Sequence, residues 1–198
     1  WKLKNGENIA IIDTSEIENS VRNLNLYFQN LGYLKNKVDF EVKKENEKIA
    51  NLIFQINTSG RYYIGENRSN IDSEIIDSIY KANSDKSKLK NNSFFNSINF
   101  DIERNRLFNL FKNNGVYDFQ INSILFSAEI DSTNNNLSIP IKTNIYGENY
   151  SISKISAINI IQSDSINSFN FNENFIKSKL KFKSGDVFND SLRKASLR

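Results

Sequence analysis

Two stretches far apart in the chain follow one pattern. FQNLGYLKNKVDFEV (28–42) and FKNNGVYDFQINSILF (111–126) each run from an apolar helical stripe through Gly into alternating strand residues. Gly32 and Gly115 stand 83 positions apart. A chain that repeats its helix-to-strand corner at that distance is constrained to fold as copies of one unit. The period exceeds that of common solenoid repeats, so each copy is expected to hold its own core.

In the first copy, Ser15 and Glu18 have the spacing of a capping box, which satisfies free amides at a helix start. Val21, Leu24, Phe28 and Leu31 then recur at helical spacing, and Gly32 suits the left-handed turn that ends a helix. Val38, Phe40 and Val42 alternate with charged residues, and after the turn KKENEK a second alternating run follows: Ala50, Leu52, Phe54, Ile56. This reads as a helix and a β-hairpin. In the second copy the stripe is Phe100, Leu107, Leu110 and Phe111, and a strand is expected from Ile121 to Ile130. The turn DSTNNN leads to Leu137, Ile139, Ile141 and Ile145, with Pro140 predicting a bulge or an unpaired side. Before the second long helix stand RYYI, the short helix DSEIIDSIYKA and a polar link; NYSI, ENFIKSKLKF and KSGDVFNDS take those places after it. Phe95-Asn96 matches Phe188-Asn189. The repeating unit is therefore strand, helix, helix, strand, strand. One copy is complete over 60–147, with the back part of another over 1–59 and the front part of a third over 148–198.

The inventory excludes much chemistry. With no Cys and no His, thiol catalysis, disulfides, imidazole bases and Cys/His metal sites are ruled out. No catalytic residue, metal or cofactor is expected, and no Gly-rich phosphate loop occurs. No Met is present and Trp1 stands first, so the sequence reads as a piece of a longer chain, and the lack of a signal peptide carries no weight. No apolar run is long enough for a membrane-spanning helix. The Asn-x-Ser/Thr matches at Asn57, Asn67 and Asn149 are chance products of an Asn-rich composition.

The array resembles the polypeptide-transport-associated (POTRA) domains of BamA/TamA-type outer-membrane proteins. The segment ERNRLFNLFKNNGVYDFQINSILFSAEIDST (103–133) is similar to the pattern ER-x-R-I…L-R-x-x-G-Y-Y-x-F…I-x-F…D of Bacteroidetes members, particularly the TamA-like ones. Val116 stands where that pattern often has Tyr, which leaves the aromatic part to Tyr117 and Phe119. GDVFND (185–190) resembles the family's Gly-Asp-x-Phe link between helices. The resemblance implies an α+β fold of tandem POTRA modules (β-α-α-β-β), each a three-stranded mixed sheet with two helices on one face. It implies a periplasmic arm at the cell outer membrane, before a C-terminal membrane β-barrel that this sequence does not contain. The implied partners are unfolded outer-membrane protein clients and accessory periplasmic or lipoprotein subunits, and BamA-like and TamA-like membership both stay open.

A small sheet covered on one face leaves margins of unpaired backbone groups, and an extended client can add there as another strand. The margins expected to take clients are Asp39, Phe40, Glu41 and Val42 in the first copy, and Ile124, Leu125, Phe126 and Ser127 in the second. The alternative for each is solvation or cover by a neighbouring module. Tyr33, Tyr117 and Phe119 are expected as core fillers, whereas Tyr62, Tyr63 and Tyr150 lie where one copy passes into the next and would stiffen the joint. Adjacent helix residues do not face one another, which favours a structural role for Glu103 and Arg104 over a site. The helix dipole explains Asp72, Glu74 and Asp77. Two other classes remain: single-stranded nucleic-acid binding, for which a formal charge of +3 is mild and VDFEV and FSAEID are acidic, and a surface glycan-active protein, which the residue inventory does not support.

Overall fold

The computed structural model describes residues 13–46, 49–130, 136–161 and 172–196. The elements are α1 (Thr14–Asn30), β1 (Lys37–Lys44), β2 (Ala50–Asn57), β3 (Tyr63–Ile71), α2 (Glu74–Lys81), α3 (Ser97–Asn113), β4 (Ile124–Ala128), β5 (Ser138–Ile145), α4 (Glu173–Lys179) and α5 (Asp190–Ala195). Most of the DSTNNN turn, part of KKENEK and the two ends of the chain lie outside the described residues.

The two long helices start and stop alike. Asn96 Oδ1 accepts the Ile98 N–H at 3.0 Å to open α3, and Asp13 Oδ1 accepts the Ser15 N–H at 2.9 Å to open α1. The cap of α1 is thus Asp13, two residues ahead of the expected Ser15–Glu18 box, because the carboxylate already holds the free amide. At the other ends, Tyr33 N–H donates to Phe28 C=O and Val116 N–H to Phe111 C=O, each at 3.0 Å. Both stretches turn on a left-handed Gly, φ +95° at Gly32 and +94° at Gly115, which only Gly adopts without strain.

β3, β4 and β5 form a mixed sheet in the order β3-β5-β4, with β3 parallel and β4 antiparallel to β5. Helices α2 and α3 cover one face. Ile139, Ile141, Thr143 and Ile145 point to them from β5 and are buried, while Pro140 and Lys142 point away and are exposed. Two apolar clusters result. Ile76, Tyr80, Leu107, Phe111, Val116 and Phe119 close one end with Ile124 and Ile145. Tyr62, Ile64, Leu89, Ile139 and Ile141 close the other. Phe126 packs against both.

Several details depart from the sequence reading. β4 starts at Ile124, because 121–123 form a 3₁₀ turn, and ends at Ala128. Pro140 is matched by an irregularity in its neighbour: the β3 register slips between Ile64 and Asn67. The segment NYSI is not a strand, and its place in the repeat is taken three residues later, as described below. In the first copy β1 and β2 pair antiparallel from Lys37↔Asn57 to Lys44↔Ala50. Ile17 of α1 and Val38 are buried in this copy, whereas Phe40, Leu52 and Ile56 are exposed.

Candidate functional site

The sheet margins come first, since unpaired backbone is the feature to which the sequence points. Tyr146 N–H donates to Ser123 C=O at 3.0 Å and Glu129 N–H to Pro140 C=O at 3.3 Å. Antiparallel alternation then turns Leu125 and Ser127 toward β5 and leaves the main-chain groups of Ile124, Phe126 and Ala128 facing outward. The Ile124 carbonyl accepts Arg104 Nε at 3.4 Å. The outward groups of Phe126 and Ala128 have no hydrogen-bond partner among the described residues. Beside them, the Arg104 guanidinium lies 5.3 Å over the Phe126 ring and pairs with Asp101 at 2.6 Å. Of the four candidates on β4, Phe126 is the one that offers both backbone and ring at the margin. On β1, the Glu45 N–H to Ile49 C=O bond at 2.9 Å sets the same alternation, so Phe40 and Val42 face outward and Asp39 and Glu41 face β2. Lys37 pairs with Asp39 at 2.9 Å, and Lys43 with Glu41 at 3.5 Å.

The passages between copies are built from a recurring backbone clip. Tyr62 N–H donates to Gly32 C=O at 2.8 Å, and Phe95 N–H donates to Tyr62 C=O at 2.9 Å. At the second passage Ser153 N–H donates to Gly115 C=O at 2.8 Å, and Phe188 N–H to Ser153 C=O at 2.9 Å. Further along, Ile64 N–H meets Ser93 C=O as Ile155 N–H meets Asp186 C=O, at 2.8 and 2.9 Å. Asn92 and Gly185, the residues just before, both have positive φ. The counterpart of RYYI is therefore ISKI (152–155), not NYSI.

Side chains finish each clip differently. Arg61 Nε donates to Leu31 C=O at 2.7 Å, and its guanidinium covers Phe94 at 4.3 Å and Tyr33 at 5.7 Å. At the second passage Tyr117 meets Phe188 edge-on, centroids 5.0 Å apart, with the Lys112 ammonium 4.9 Å from the Tyr117 ring. Asn189 Nδ2 donates to Asn113 C=O at 3.0 Å. Tyr117, expected as a core filler, is exposed and belongs to the joint. Of the three tyrosines assigned to the joints, Tyr62 is buried in the core while its backbone makes the clip. Tyr63 bridges to Phe94. Tyr150 packs tilted against Phe119, centroids 5.1 Å apart, and shares a hydrogen bond with Ser123 at 2.9 Å. Arg61, Phe94, Lys112 and Asn113 were not singled out from sequence, and Asn189 only as half of the repeated Phe-Asn. The paired Gly residues and the repeated Phe-Asn were the signal that could have found them.

Between the two apolar clusters runs a polar belt. Glu103 sits in the buried stripe of α3 and is 1% exposed. Its carboxylate accepts Arg106 Nε at 2.8 Å, Arg106 Nη2 at 2.7 Å and the Lys88 N–H at 3.0 Å. Burial would raise this carboxyl, but the Arg106 hydrogen bonds, the Lys88 amide and Ser87 together hold it below its ordinary value. Burial pushes the Tyr80 hydroxyl up, opposed by a hydrogen bond with Thr143. Thr143 Oγ1 in turn donates to Asn67 Oδ1 at 3.0 Å. Every polar group of the belt has a structural partner, and Arg104 turns to the opposite side, toward β4. Among the described residues no cluster of three acidic, His or Cys side chains could hold a metal ion, and no helix is long and apolar enough to cross a membrane.

No protein-family profile and no curated protein matches the chain. Among solved structures, the crystal structure of Haemophilus influenzae BamA POTRA3-5 is similar to it with a TM-score of 0.44 and 13% identity, over 93% of this chain and 68% of that one. BamA from Haemophilus ducreyi lacking POTRA domains 1-3 matches with a TM-score of 0.41 and 13% identity, over 73% of this chain and 25% of that one. The N-terminal domain of Omp85 from the thermophilic cyanobacterium Thermosynechococcus elongatus matches with a TM-score of 0.31 and 10% identity, over 91% and 69%.

Proposed function

We propose that this chain is a run of POTRA modules from the periplasmic arm of an outer-membrane assembly or translocation protein, and that it holds unfolded clients or accessory subunits by strand addition. Residues 60–147 are a complete module, 1–59 the C-terminal part of the one before, and 148–198 the N-terminal part of the one after. The protein's own membrane barrel lies further along the full-length chain. The reading rests on the β-α-α-β-β order with a mixed three-stranded sheet and on the sequence resemblance of 103–133. One observation carries the binding role: among the described residues, the outward N–H and C=O groups of Phe126 and Ala128 have no partner and lie beside a phenyl ring and a guanidinium. An extended segment satisfies such groups whatever its side chains, which suits a receptor for many unfolded clients.

Ala128→Pro is the test. Its N–H points away from β5, so proline removes a donor from the margin and none from the ladder. A labelled peptide of about ten residues with alternating apolar and polar side chains, the pattern of a membrane-barrel strand, should bind the unmodified chain saturably by fluorescence anisotropy. The variant should bind about fivefold to tenfold more weakly, as expected for one lost backbone hydrogen bond, with its melting temperature little changed. Unaltered affinity in a folded Ala128→Pro protein would remove β4 as the receiving margin.

A further inference from the structure

The opposite margin of the same sheet is also open, and its surroundings differ in charge. Asp72 N–H donates to Ile145 C=O at 3.1 Å. Parallel alternation then turns Arg68 and Asn70 toward β5 and leaves the main-chain groups of Asn67, Ser69 and Ile71 facing outward. None of these outward groups has a hydrogen-bond partner among the described residues. The N-terminal half of β3 is closed instead, by Ile64 N–H to Ser93 C=O and Asn92 N–H to Ile64 C=O, each at 2.8 Å. The open half therefore starts where the link between the two helices departs.

That link and α2 make the far wall of a groove of about 540 Å³ beside Asn67 and Ser69, with Tyr80, Ser87 and Leu89 along it. Lys90 continues from this groove into an adjoining depression that Lys86 and Lys88 also line. Lys86, Lys88 and Lys90 are exposed and have no ion-pair partner among the described residues. Asp85 is the one acidic residue lining the groove.

From this placement we infer that the β3 margin, at Asn67, Ser69 and Ile71, is a second strand-addition site, and that it takes an extended polypeptide segment carrying acidic side chains. Backbone groups spaced at every second residue call for an extended main chain and not for a small molecule. An added strand would send alternate side chains toward the groove wall, where Lys90 stands, with Lys86 and Lys88 in the adjoining depression. Opposite charge there favours encounter and fixes register. The site shares no residue with the β4 margin, so either proposal can fail without the other.

The test uses the 198-residue chain and a labelled peptide of about eight residues, the length of a longer strand, with Glu and Val alternating. Anisotropy should report saturable binding, at least about tenfold tighter than for the same peptide with Lys replacing Glu, as three surface charges would give. N-methylation of alternate peptide amides should abolish it. Ser69→Pro, which removes an outward N–H only, should weaken it about fivefold while the affinity for the barrel-strand peptide stays unchanged. Lys86→Glu/Lys88→Glu/Lys90→Glu, wholly on the surface, should weaken it about tenfold and keeps the test valid should the proline variant fold poorly. The inference is overturned by no saturable binding of the Glu peptide, by full affinity in the lysine-reversed protein, or by loss of binding in Ala128→Pro instead. It is likewise overturned if the lysines bind phosphatidylglycerol vesicles and the peptide does not bind.

Discussion

Glu103→Gln is expected to lower the unfolding free energy of the chain's central α+β unit by about 3 kcal/mol, the lower end of the cost of breaking a buried ion pair from one side. The substitution keeps the side chain's shape. What it removes is the negative charge between two guanidinium nitrogens and the Lys88 amide, all donors. A Gln amide offers one oxygen to three donors and turns an N–H₂ toward the others. Arg106, whose side chain is 19% exposed, is left without its counter-charge. Glu103→Leu combined with Arg106→Leu should cost far less than either single change, since no uncompensated charge remains. Denaturant unfolding of the three variants checks this order.

The same carboxyl sets an acid limit. Its folded value lies below the ordinary 4.5, so the folded state holds its proton less readily than the unfolded chain does. The stabilisation is complete above that ordinary value and is lost as pH falls through the lower folded value. Asp190, held down by hydrogen bonds from Lys194 and Arg193, acts in the same direction at α5. The gap in stability between the parent chain and Glu103→Gln should therefore shrink on acidification.

Gly32→Ala is the second large effect. An alanine there must keep φ near +95°, and its Cβ would stand 2.8 Å from the Phe95 carbonyl oxygen and 3.2 Å from that of Tyr62. Both atoms are backbone, the Tyr62 oxygen accepting within the clip and the Phe95 oxygen on the residue that donates to it, so they cannot move aside without opening it. A cost of about 2–3 kcal/mol is expected from strain of this kind, together with looser coupling between the first hairpin and the sheet. At Gly115 the Cβ would meet Ile152 and Val187 methyl groups at 2.8 Å, which can rotate, so Gly115→Ala should cost less. Small-angle scattering should give a larger radius of gyration for Gly32→Ala than for the parent.

The order of elements was legible because helical stripes and left-handed Gly positions leave strong local signals. Phe28, Gly32, Phe111 and Gly115 alone fix two helix ends. The misplacement of the strand after the second hairpin has a length cause. Tyr62 follows the end of β2 by five residues, whereas Ser153 follows the end of β5 by eight. The extra length is taken up by a turn at Gly147, whose N–H donates to Asp72 Oδ2 at 3.1 Å. β3 beyond Ile64 was hidden by its composition. ENRSN has no alternating apolar residues, because Asn67 and Thr143 place a polar belt where an apolar pair would otherwise stand. Glu103 was read as structural, but its partners stayed hidden for a related reason. A carboxylate in the line Phe100, Leu107, Phe111 looks like an interruption, until Arg106 one turn on and the Lys88 amide across the gap are seen to satisfy it.

Strand addition at the proposed β4 margin can be watched residue by residue. Amide hydrogen exchange, followed by NMR with and without the alternating barrel-strand peptide, separates the two sides of β4. Leu125 and Ser127 face β5 and should be protected throughout. Phe126 and Ala128 should exchange fast alone and slow down when the peptide is present. Fast exchange at Phe126 and Ala128 under saturating peptide would contradict strand addition at β4.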